Sequence, residues 1–149
     1  MVLYPMTRSK RMQSVQHLAH NREQVAVKKL GESQQFLDAQ QAKLQELRSY
    51  RDQYAQAFES TGGAGLDALR IQEYRVFLGR LNEAIQQQEA VIAQCSARHE
   101  QTRQQWLETH SHSQAIDKVL KRYRQQERKQ QERKEQQDLD ERARRTLDD

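Results

Sequence analysis

From Ile71 to Tyr123 a single spacing limits what this chain can fold into. Ile71, Leu78, Ile85, Ile92, His99, Trp106, Ser113 and Leu120 recur every seventh residue, and Tyr74, Leu81, Gln88, Cys95, Thr102, Thr109, Ile116 and Tyr123 follow each of them by three. These are the a and d positions of about seven heptads in one register, the pattern of a helix that buries a narrow seam against another helix. A weaker copy of the pattern precedes it. Leu30, Leu37, Leu44, Arg51 and Phe58 fall at a, with Leu47 and Tyr54 at d. Upstream the seam is weaker: the d positions hold Ala19, Ala26, Ser33 and Gln40, while Val15, Leu18, Val25 and Val27 scatter around the stripe.

The two patterned stretches are separated by Ser60-Thr61-Gly62-Gly63-Ala64-Gly65, which holds three of the five glycines. Glycine clusters interrupt helices, and a short turn between two amphipathic helices lets the second bury its stripe only by folding back on the first. The expected fold is therefore all-α: one long antiparallel two-helix coiled-coil hairpin. Its parts are helix 1 over about 8–59, a turn at 60–65, helix 2 over about 66–135, and a charged helical extension or tail at 136–149, all in a single domain over 1–149. Only 35% of the chain is hydrophobic and its mean hydropathy is −1.14, too polar for a thick globular core. Such composition also suits a disordered chain, and the periodicity decides in favour of long helices.

Charge is unevenly spread. Residues 1–32 carry six basic and two acidic side chains, 33–117 eight and eleven, 118–134 eight and two, and 135–149 three and six. Folding back brings the first and third blocks together and makes the open end of the hairpin strongly positive.

Chemistry is excluded by what a two-helix rod lacks. The sequence has no phosphate-binding loop, dinucleotide fingerprint, paired zinc knuckle or nucleophile motif, and such a rod offers no concave pocket, so neither catalytic residues nor a cofactor are expected. His17 and His20 could share a helix face, but His110 and His112 point to different faces and no third ligand is in reach, so no metal site is expected. Lone Cys95 has no internal disulfide partner, which fits a reducing cytoplasm. The basic block from Lys118 to Lys134 contains one aromatic residue, Tyr123, for stacking on bases and no apolar face to bury in lipid, so neither nucleic-acid binding nor membrane insertion is expected. A partner protein with an acidic surface suits it better, and Arg11, Arg22, Lys118, Lys121 and Arg122 are the expected contacts.

Tyr50 and Phe77 are a different matter. Both occupy g positions beside the seam, and in an antiparallel pair g faces g′. With Leu47, Tyr54, Leu81 and Ala84 they form an apolar stripe that a rod two helices thick cannot wholly bury, the mark of a contact surface.

Leu30-Gly31-Glu32, then Leu44-Gln45-Glu46-Leu47-Arg48-Ser49-Tyr50-Arg51-Asp52-Gln53-Tyr54, a glycine turn, Tyr74, Phe77-Leu78, Leu81, Ala84-Ile85 and Gln88, and later Trp106 resemble the flagellar export protein FliJ family over essentially Val15 to Tyr123. The resemblance implies a non-enzymatic stalk of the flagellar type III export apparatus. It would sit in the pore of the export ATPase hexamer, bridge that ring to the cytoplasmic domain of the export gate protein, and help recycle export chaperones. Its implied location is cytoplasmic, at the inner membrane beneath the flagellum. Carried over by position, Leu47, Tyr50, Tyr54, Phe77, Leu81, Ala84 and Gln88 match the family's gate-binding surface, while Lys43 stands where a glutamine is expected. Two other readings remain open at this point: the homologous stalk of a virulence injectisome, and a basic coiled coil associated with nucleic acid.

Overall fold

A computed structural model describes residues 6–62 and 67–148. Helix α1 runs Arg8–Thr61 and helix α2 Ala68–Asp148, and the two pack against each other with no strand among the described residues. Each helix begins at a side-chain cap. Thr7 Oγ1 accepts a hydrogen bond from the Lys10 amide at 3.3 Å, and Asp67 Oδ1 accepts one from the Arg70 amide at 2.9 Å, so each cap satisfies an amide that has no partner in the first turn. At the far end of α1 the Gly62 amide donates to the Glu59 carbonyl, and the Ser60 and Thr61 hydroxyls turn back onto the Ala57 carbonyl. Of the expected turn, Ser60 and Thr61 belong to α1, and Gly63, Ala64 and Gly65 lie outside the described residues.

The helices divide into two compact units: a terminal unit of Met1–Ala26 with Trp106–Asp149, and a central unit of Val27–Gln105. Within the central unit the pairing is antiparallel, because Ser33 meets His99, Gln40 meets Gln88 and Tyr54 meets Tyr74. Its core is Leu37, Leu44, Leu81 and Ile85, all buried at a and d. The terminal unit is antiparallel in the same sense, with Ser9 against Glu127, Gln16 against Asp117 and Glu23 against His110. Its buried residues are Ala19, Ala26, Ile116 and Leu120, with Ser9 and Ser113.

Upstream of Leu30 the seam continues to Ser9, although its apolar pattern is weaker there. Ser9, Ala19 and Ala26 are buried, and Met12, Gln16 and Glu23 are half-buried. Small residues let the backbones approach, and hydrogen bonds across the pair replace apolar bulk. Val15, Leu18 and Val25 stay exposed, as their off-seam positions require.

Of the two forms open for the charged stretch after residue 135, the structure shows the helical extension: α2 continues without interruption to Asp148. This stretch contains neither glycine nor proline, and Gln131 and Gln136 each donate to a carboxylate one turn on, at Glu135 and Asp140. A helix already nucleated in the paired segment extends at one hydrogen bond per added residue, so no partner helix is needed to prolong it.

Candidate functional site

The residues expected at the gate contact all fall in the central unit, and those expected at the ring contact all fall in the terminal unit. In the central unit the heptad g positions bring Tyr50 of α1 beside Phe77 of α2, with ring centroids 6.1 Å apart and planes at 77°. Phe77 also meets Tyr54 at 4.5 Å. The rings continue inward, with Tyr54 stacked on Tyr74 at 5.5 Å and Tyr74 on Phe58 at 3.7 Å. The edge-on contact of Tyr50 with Phe77 is of the kind that contributes about 0.5–1.5 kcal/mol beyond its burial. Beside its inner end lies a groove of about 370 Å³ lined by Tyr54, Ala57, Phe58, Arg70 and Tyr74.

The seven residues of this set differ in reach. Tyr50 is 51% exposed. Leu47, Tyr54, Phe77 and Ala84 are half-buried. Leu81 and Gln88 are 8% and 6% exposed and belong to the seam itself, where Gln88 Nε2 donates to both the carbonyl and Oε1 of Gln40 at 2.9 Å. Of this set, therefore, Tyr50 is the most exposed side chain, with Phe77 in ring contact with it, while Leu81 and Gln88 are buried in the seam.

In the terminal unit Arg11, Arg22, Lys118, Lys121 and Arg122 are all exposed. Arg11 lines a groove of about 560 Å³ with Arg8, Tyr123 and Glu127, and the Arg8 guanidinium lies 5.8 Å from the centre of the Tyr123 ring. Arg22 lines a second groove, about 160 Å³, with Ala19, Glu108, Thr109 and His112.

A set of clasps in this unit escaped the sequence reading. His110 Nδ1 lies 2.6 Å from Glu23 Oε1, with Trp106 stacked on the imidazole at 5.2 Å. His20 Nε2 and Gln16 Nε2 both reach Asp117 Oδ1, at 3.0 and 2.8 Å. Ser9 donates to Glu127 from its hydroxyl at 2.6 Å and from its amide at 3.1 Å. The signal that could have found the His20–Asp117 clasp is positional, since both fall at heptad e and e faces e′ in an antiparallel pair, whereas Ser9, Gln16, Glu23 and Glu127 stand at a. His20 and His110 thus serve the helix pairing, and no group of three or more metal-binding side chains occurs among the described residues.

The clasps hold three carboxyls below their ordinary range. Hydrogen bonds from His110 and then Ser113 lower Glu23, that from Gln16 and then His20 lower Asp117, and two from Ser9 lower Glu127. A depressed carboxyl stabilises the fold fully above its unfolded value and loses that contribution as pH falls through the folded one. Amide hydrogen-exchange protection over residues 8–26 should therefore decline below about pH 4, the ordinary carboxylate range. A Glu23→Gln, Asp117→Asn variant should show a shallower decline, whereas an unchanged pH profile would separate the clasps from pairing in this unit.

The family model described as Flagellar FliJ protein matches residues 8–148. No curated protein and no solved structure matches the chain. The match covers both described helices from end to end, including the aromatic row and the basic terminal unit, and the chain belongs to the flagellar FliJ family.

Proposed function

We propose that this chain is a non-enzymatic stalk of the flagellar type III export apparatus that holds the export ATPase ring through its terminal unit and the cytoplasmic domain of the export gate protein through its central unit. Membership of the family makes it a component of flagellar export. The observation that carries the finer reading is the separation of two unlike surfaces: exposed cations in one unit, and the Tyr50 and Phe77 rings in the other. Clustered cations suit an acidic protein surface, because they steer encounter and raise association rates. A half-exposed aromatic with rigid neighbours suits a contact hot spot, because little side-chain freedom is lost when it docks. Hydrolysis belongs to the ring in this reading, and export chaperones are a further class of partner.

Among the described residues no helix is long and apolar enough to cross a membrane. We place the chain at the cytoplasmic face of the inner membrane at the flagellar base, held there by its partners. The family match favours the flagellar system over the injectisome and over nucleic acid.

The ring contact is tested by charge reversal. Arg11→Glu, Arg22→Glu and Lys121→Glu together should weaken binding to the ATPase hexamer by about tenfold or more, with a smaller difference at high salt. Equal affinity and equal ATPase stimulation for the variant and the parent would move the contact elsewhere on the chain.

A further inference from the structure

In the terminal unit α1 carries a second stripe that its own partner helix leaves uncovered. Val15, Leu18, Arg22 and Val25 follow one another at steps of three and four residues, on heptad g and c, one flank away from the a and d seam. Leu18 and Val25 are 51% and 54% exposed, and Val15 is exposed as well. On α2 the same flank adds Ala115 and Val119 at c and g. Two overlapping apolar stripes on one helix are what a helix shows when it packs against two others. One groove of this unit is lined by Ala19 and by Arg22 of the stripe, and the other by Arg8 and Arg11, which hold the g and c positions preceding Val15.

We infer that this flank is a docking groove for one amphipathic helix with an acidic rim, supplied by a partner protein, which completes a three-helix bundle over about five helical turns from Arg8 to Val25. Charge identifies the occupant. Where the two helices pair, the c and g positions carry Arg8, Arg11, Arg22 and Arg122 against the single acid Glu108. An apolar strip between arginines takes a helix with apolar residues on one face and Asp or Glu at its edges, because it buries the strip and pairs the rim together. The chain's own acidic stretch cannot fill the groove, since residues 135–148 continue α2 as unbroken helix. A second copy would bring its basic residues 118–134 to a basic flank, and docking of its acidic stretch 135–148 would emerge in the test as trapping of the chain's own residues. The site shares Arg11, Arg22 and Arg122 with the proposed ring contact and goes beyond it by the apolar strip between them, whereas Lys118 and Lys121 occupy heptad f and b, off this flank.

The test uses the full chain with a benzoylphenylalanine photo-cross-linker at Leu18, and at Gln13 on the opposite flank as control, irradiated in the cells that make it. The expected product, from Leu18 and not Gln13, is one segment of another protein with apolar residues at helical spacing and acidic neighbours. A synthetic copy of that segment should bind the full chain, about tenfold more weakly after Leu18→Glu with Val25→Glu and undiminished after Lys118→Glu with Lys121→Glu. Circular dichroism checks that helix content is kept, with Leu18→Gln and Val25→Gln used instead if it is not. Trapping of the chain's own residues, of a segment without that pattern, of the same product from Gln13, or of nothing overturns the inference.

Discussion

Replacing Ile85 by proline is expected to lower the melting temperature by about 10 °C or more. Ile85 is 4% exposed at an a position of the central unit, and the residue one turn before it, Leu81, is buried too. Proline removes the hydrogen bond from position 85 to the Leu81 carbonyl and drives its ring against that oxygen, which costs about 3 kcal/mol or more inside a helix. The lost side chain leaves a gap in the seam as well. A protein of this size shifts by about 2–4 °C for each kcal/mol, against a total stability of only about 5–15 kcal/mol. The contrast is Gln137→Pro, which breaks the same kind of hydrogen bond in a stretch whose side chains are all exposed. That variant should lose some helix signal and leave the main melting transition nearly in place. Equal losses at both positions would mean that the seam contributes little and that helix continuity alone holds the fold.

The same contrast explains which parts of the structure were legible beforehand. A seam is written in spacing, and every a and d position from Tyr74 to Glu127 is buried or half-buried. Ile71, at the start of that register, is exposed, because it stands in the first turn of α2, where packing has only begun. The end of α2 was less legible, because residues without an apolar stripe read equally as tail or as helix, and only the local glutamine-to-carboxylate bonds and the absence of breakers separate the two. The clasps were not legible for another reason. Histidine and aspartate at e positions are common on solvated faces, and their pairing depends on the stagger between helices, which heptad spacing alone does not fix. For the seven residues proposed to contact the gate protein, the sequence could not say which are uncovered. Gln88 stands at d in the seam and also in the set carried over for the gate contact, and the structure turns it inward onto Gln40.

That difference in depth separates binding from folding in the central unit. The Tyr50→Ala, Phe77→Ala double variant is expected to lose capture of the gate protein's cytoplasmic domain while keeping its helix content and its stimulation of the ATPase. Tyr50 touches Phe77 edge-on and is half exposed, so its removal takes little from the seam. Phe77 gives up its contact with Tyr54, yet Tyr54 keeps its stack on Tyr74, and Tyr74 its stack on Phe58, so the inner row remains. A fall in stability of about 1 kcal/mol is expected from the lost ring contact. In an interface the same two rings would be buried anchors, and each contributes about 2 kcal/mol or more there, so together they account for a loss of about a thousandfold in affinity. Leu81→Ala supplies the opposite signature. Leu81 is buried between the helices, so its truncation should cost about 2–5 kcal/mol of stability and weaken capture only through the loosened pair beneath the surface. If the double variant melts like Leu81→Ala, the rings are part of the seam and the gate contact lies elsewhere. If it melts like the parent and no longer captures the gate domain, Tyr50 and Phe77 are the contact, and the seam residues below them hold it in place.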